Sequence, residues 1–195
     1  SGHNPIVINW IPDDLELYYT NITDKSQLEA HCDFQKNYEC ISSLCRNTDD
    51  IIDVINKYSI NLVIIGSDAV LTYIPIINRF RLTRKGPRYI SVYKDSDFPS
   101  PFWADFKNKV DIPIALMSAS AQNTKYKNII FRKKQFADQI KMFDYISVRD
   151  VWTANMIKYL TKGDINPKIT PDSVFSFNQN ISPKLIISKD DIIKK

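Results

Sequence analysis

The stretch INLVIIGSDAVL, residues 60–71, runs an apolar core segment directly into a glycine, a hydroxyl and a carboxylate. A turn there needs only Gly66. Ser67 and Asp68 add a hydrogen-bonding hydroxyl and a charge able to bind or deprotonate a substrate hydroxyl. Two further apolar runs end in comparable chemistry. Residues 112–116 pass into Ser118-Ala119-Ser120-Ala121-Gln122, and residues 145–148 into Arg149-Asp150. In a parallel α/β sheet the carboxyl ends of the strands share one edge, where ligands bind. The three segments are therefore expected to bring Asp68 and Arg149, with the hydroxyls of Ser67, Ser118 and Ser120, to one cleft. Each has a plainer reading. Ser67 and Asp68 can cap a turn, the serines can be loop hydrogen-bonders, and Arg149 can be an ion-pair partner of Asp150, itself a helix cap.

A second chemical signal is RFRLTRKGPRYISVYK, residues 79–94, which holds six cations and no acid, interleaved with Phe80, Tyr89 and Tyr93. Such a surface can hold a sugar ring by stacking and an anion by charge, which makes Arg79 and Arg81 candidate substrate-binding residues. The same mixture suits single-stranded nucleic acid, and as a solvated loop it needs no ligand. Other chemistries are poorly served. Beyond Gly2, the only glycines are Gly66, Gly86 and Gly163, too few for the usual phosphate-cradling loops. His31 is the single histidine after residue 3, and no Ser-His-Asp arrangement accompanies it. Cys32, Cys40 and Cys45 are odd in number and lack CxxC spacing, so reduced thiols are expected rather than disulfides or a metal site.

The elements that must position these residues follow from periodicity. Residues 6–11 read as a first strand ended by Pro12-Asp13, and the polar stretch 20–46 as mostly helical. Thr48 can cap a helix whose first turn carries Asp49 and Asp50, with Ile51, Ile52, Ile55 and Tyr58 at helical spacing. Strands follow at 62–65, 112–116 and 145–148. A helix over about 131–143 places Phe136, Ile140 and Phe143 on one face. Another, capped by Asp150 and stopped by Gly163, turns Trp152, Met156, Tyr159 and Leu160 inward. Short strands are expected near 173–177 and 185–188. The alternation predicts an α/β fold, a Rossmann-like parallel sheet with helices on both faces.

The chain has 195 residues, 44% hydrophobic and 25% charged, with a net charge of +4, values ordinary for a globular domain. Such a mild excess does not point to nucleic acid, and no apolar run is long enough to form a membrane helix. Residues 1–3 read as a cloning scar. With no leader-like segment, a cytoplasmic protein is expected.

The segments NLVIIGSDAVL, SPFWADF, IALMSASAQ, FDYISVRDVWTANMIKYL and ITPDSVF occur in the order and spacing of the polysaccharide pyruvyl transferase family, which the chain resembles over residues 60 to about 177. Three positions depart from the pattern: Leu71 stands where a tryptophan is usual, Gln122 where a glycine is, and Ser173 where a second proline is. The resemblance implies one half of a GT-B-like two-domain architecture. Residues 4–188 would be its N-terminal Rossmann-like domain, and 189–195 a tail or the start of a linker to a second domain.

It further implies transfer of pyruvyl from phosphoenolpyruvate to two sugar hydroxyls as a cyclic ketal, in bacterial surface-glycan synthesis. No cofactor or metal is implied, phosphoenolpyruvate being the donor substrate. Asp68 would act as base or acceptor contact and Arg149 as the donor's cation. Gly66, Ser67, Ser118, Ser120, Arg79 and Arg81 would bind substrate, while Asp172 would fix the turn between halves. The expected partners are a glycan or lipid-linked sugar and the second domain, at the inner membrane face if the acceptor is lipid-linked. Two competing readings are a non-catalytic glycan-binding scaffold and half of a nucleotide-sugar glycosyltransferase.

Overall fold

Val7–Trp10 forms the first strand, β1, and Pro12 ends it; the Pro12 carbonyl accepts from the Leu15 and Glu16 amides as helix α1 (Asp13–Ile22) begins. These assignments come from a computed structural model, which describes residues 2–22, 24–36 and 40–172. Helix α2 (Lys25–Lys36) follows, but the helical reading of residues 20–46 fails beyond it. Ile41–Cys45 is a strand, β2, parallel to β1. Its serines hid it: Ser42 is buried because its hydroxyl accepts from the Asn9 amide at 3.0 Å, satisfying a polar group inside the pair.

Helix α3 (Thr48–Lys57) starts one residue earlier than its sequence suggests. The cap is Asn47, not Thr48. Asn47 Oδ1 accepts from the Asp50 amide at 3.0 Å, and Asp50 Oδ2 accepts from the Asn47 amide at 3.2 Å, a reciprocal capping box. Ile51, Val54 and Ile55 are buried, while Tyr58 is partly exposed beyond the last turn. Strand β3 (Val63–Gly66) takes in the glycine itself, one residue on from the expected 62–65.

The 79–94 run is not a loop. Phe80–Thr83 (β4) and Gly86–Tyr89 (β5) pair as an antiparallel hairpin around Arg84-Lys85. Strand β6 (Ile114–Ala119) begins and ends later than the expected 112–116, drawing Ser118 into the sheet. Helix α4 (Lys133–Ile140) is shorter than 131–143, although Phe136, Ile140 and Phe143 are all buried. Strand β7 (Tyr145–Val148) leads into helix α5 (Val151–Leu160), capped by Asp150 as expected, and β8 (Lys168–Ile169) closes the described chain. In α5, Met156 and Leu160 turn inward but Trp152 does not. It lies across the surface, edge-on to Tyr126 at 5.0 Å between centroids, and Nε1 donates to the Thr124 carbonyl. The strands expected near 173–177 and 185–188 lie outside the described residues.

The central sheet has the order β3-β6-β7-β8, all parallel and flanked by helices, and β1-β2 forms a separate parallel pair. The architecture is thus α/β. An aromatic knot fills the core: Phe136 stacks on Phe98 with centroids 3.8 Å apart and meets Trp103 and Tyr73 edge-on at 4.9 Å.

Candidate active site

Gly66 is where β3 must approach β6 most closely. Its φ of +140° is rare for a side-chain-bearing residue, and a Cβ built on it would lie 1.9 Å from the Met117 carbonyl oxygen. No other residue fits there. The chain can then turn at once, and the Ser120 amide donates to the Asp68 carbonyl at 2.9 Å, tying the turn to the end of β6.

Strand β6 has its own irregularity. Its register with β7 shifts between Leu116 and Ala119, and Ser118 takes φ +50°. The Ser118 amide donates to Ser147 Oγ at 3.1 Å, and its hydroxyl donates to the Pro171 carbonyl at 2.9 Å. Thr170 Oγ1 lies 2.9 Å from Ser118 Oγ and 3.0 Å from Ser147 Oγ. These hydroxyls, of which Ser118 and Ser147 are buried, fasten residues 170–172 to the carboxyl edge of the sheet. At the neighbouring strand end the Arg149 amide donates to the Ala119 carbonyl at 3.0 Å, which fixes where the arginine side chain starts.

The side chains then meet. Arg149 Nη1 donates to Asp172 Oδ2 at 3.0 Å, and Nη2 lies 3.6 Å from Asp68 Oδ1. Ser67 Oγ donates to Asp172 Oδ1 at 3.4 Å. Asp68 is 82% exposed, whereas Arg149 and Asp172 are 29% and 25% exposed. One guanidinium is thus bracketed by two carboxylates, the outer of which faces solvent. An exposed carboxylate beside an arginine can accept a hydrogen bond or a proton from an arriving hydroxyl. Among the described residues, no group of three or more His, Cys, Asp or Glu is arranged to hold a metal ion.

The structure gathers Gly66, Ser67, Asp68 and Arg149 at one edge and adds Asp172, whose place among them sequence reasoning missed. The signal available was its Pro-Asp segment, recurring at family spacing. Ser118 and Ser120 stand at this edge but are 4% and 3% exposed. The Ser120 hydroxyl accepts from the Gln122 amide at 3.0 Å, so both serines shape the loop from below. Arg79 is 7% exposed; Nε donates to the Ile74 carbonyl at 3.0 Å and Nη2 to Asp97 Oδ1 at 2.7 Å, which anchors the base of the hairpin. Arg81 is exposed on β4, paired in register with Arg88.

A parallel α/β domain with an arginine-held carboxylate at the carboxyl edge of its sheet is the class that fold and site define. A family model for polysaccharide pyruvyl transferase matches residues 7–195, and the chain belongs to that family, one of transferases. No curated protein and no solved structure matches the chain.

Proposed function

We propose that this domain serves the transfer of pyruvyl from phosphoenolpyruvate to two hydroxyls of a sugar, closing a cyclic ketal in bacterial surface-glycan synthesis. In that reaction a proton adds to the enol carbon and one sugar hydroxyl attacks the cationic centre. Phosphate leaves with its bonding pair, the second hydroxyl attacks, and both hydroxyls give up their protons. The observation that supports this reading is the meeting of Ser67 and Arg149 on Asp172, joining segments up to 105 residues apart around the exposed Asp68.

Asp68 contacts the acceptor and takes a hydroxyl proton; Arg149 and Asp172 position it. Two carboxylates around one guanidinium suit an uncharged polyol better than a donor carrying both carboxylate and phosphate. Arg149 alone is therefore a weak trap for phosphoenolpyruvate. We assign the donor's remaining cations to a second Rossmann-like half facing this one across a GT-B-like cleft.

Phosphate release from phosphoenolpyruvate by the full-length polypeptide, with and without envelope glycans, tests this. Glycan-dependent release is expected, and Asp68→Asn should lower it by about 10²–10⁴-fold while leaving the fold intact. Release that ignores the glycan, or survives Asp68→Asn undiminished, overturns the assignment. A folded protein that binds glycan but releases no phosphate would instead be a non-catalytic scaffold.

A further inference from the structure

Charge is unevenly distributed along this chain. Residues 69–94 and 112–137 together hold eleven of its 26 lysines and arginines and none of its 22 acids, leaving 15 bases against 22 acids elsewhere. The fold joins the two stretches. Tyr73 N donates to Thr124 Oγ1 at 3.0 Å, Asn128 Nδ2 donates to Asn78 Oδ1 at 2.9 Å, and Ile76, Ile77, Ile130 and Phe131 line one small pocket. They leave the sheet at the carboxyl ends of β3 and β6, the edge that carries Asp68.

The surface they build is also apolar. In the hairpin register Phe80 faces Tyr89 and Leu82 faces Pro87, which puts these four residues on one side of the ribbon; Arg81 faces Arg88 on the other. Phe80 and Tyr89 pack edge-on with centroids 5.3 Å apart, yet both remain more than half exposed. Leu82 is 93% exposed and Phe131 83%. Burial among the described residues does not account for an apolar ribbon face with cations at its turn and on its reverse side. Two arginines directly opposite each other repel unless an anion lies between them.

We propose that the β4–β5 hairpin and the 129–132 loop form a docking surface for an anionic lipid bilayer. The apolar side of the ribbon enters the headgroup–acyl boundary and Arg84 and Lys85 at its turn meet lipid phosphates, while Arg81 and Arg88 on the reverse side add long-range attraction to the anionic surface. This is the logic of an interfacial amphipathic helix carried by a two-stranded ribbon. A bilayer fits better than the alternatives. Four-residue strands present little area for a stable protein interface, and the most exposed apolar side chain, Leu82, offers no ring on which a base could stack. Bound in this way, the sheet edge with Asp68 lies at the membrane surface, where an acceptor carried on a lipid would be presented; that last consequence alone rests on the proposed function.

Co-sedimentation of the 195-residue chain with vesicles tests the surface without any assay of transfer. Binding to mixed phosphatidylcholine–phosphatidylglycerol vesicles is expected, with little to phosphatidylcholine alone, weakening as salt rises. Leu82→Asp and Phe131→Asp should each lower the partition coefficient about tenfold or more, and the pair Arg84→Ala with Lys85→Ala roughly tenfold. All four side chains are exposed, so circular dichroism should show the fold retained. The proposal is overturned if anionic vesicles are not bound at low salt. It is equally overturned if Leu82→Asp and Phe131→Asp bind as the parent does, or if the same substitutions abolish oligonucleotide binding or self-association while vesicles are ignored.

Discussion

Thr48 donates its hydroxyl to Asp105 Oδ2 at 2.8 Å, and the other oxygen of that carboxyl is buried with no hydrogen-bond partner among the described residues. Burial pushes the Asp105 carboxyl above the usual aspartate value, against the Thr48 hydrogen bond and the charge of Lys109, with Asp49 adding to the rise. A carboxyl raised on folding stabilises the fold in its protonated form. The contribution is complete below the unfolded value near about pH 4 and is lost as pH rises through the folded value. Asp105→Asn removes that loss. Its urea midpoint, compared with the parent's, should therefore climb from acid toward neutral pH, and a difference constant with pH would contradict the burial argument. Two departures from the family pattern also have physical readings at this scale. Leu71 is 1% exposed and simply fills core. Gln122 sits at φ +46°, a backbone region in which glycine is at ease.

Helix α5 is tied to the sheet by one threonine. Asp150 Oδ1 accepts from the Thr153 amide at 2.7 Å and Oδ2 from its hydroxyl at 2.9 Å, while Thr153 Oγ1 accepts from the Ala121 amide at 2.8 Å. Cap, helix and the loop after β6 thus share a hydroxyl that is fully buried. Thr153→Val keeps the shape but leaves the Ala121 amide unpaired, and should cost about 1–3 kcal/mol in chemical denaturation. A loss near zero would mean that water or a shifted backbone replaces the bond. The cap itself was legible, because Asp150 stands directly between an apolar strand and a helical period. Strand β2 was not, because Ser42 and Ser43 break its apolar run, and the Asn9 amide that satisfies Ser42 lies 33 residues away.

At the scale of the molecule, stability should be graded from the β6–β7 centre to the hairpin. Ile114, Leu116 and Val148 are essentially buried and lie on neighbouring parallel strands, whereas β4 is exposed along its whole length. Amide hydrogen exchange should be slowest in β6 and β7 and much faster at 80–89, through openings that leave the sheet intact. Equal protection in the two regions would show that the hairpin is locked to the body. No helix among the described residues is long and apolar enough to cross a membrane.

By itself the sequence determined the class of the fold and located four of the eight described strands, β1, β3, β6 and β7, with only β7 bounded as expected. Alternating apolar runs and helical periods are local patterns, and Gly66, Asp150 and Gly163 punctuate them locally. It also singled out Asp68 and Arg149, because charges at the ends of apolar strands are conspicuous without any knowledge of packing. Only the tertiary structure decided what those charges touch. Asp172 meets Arg149 directly, on a segment fastened by the hydroxyls of Ser118, Ser147 and Thr170, residues far apart in the chain and ordinary in type. It also decided that Arg79 is an internal anchor while Arg81 is exposed, and that a basic run is an amphipathic ribbon. Strand register and burial set those outcomes, and both depend on partners that no local window contains.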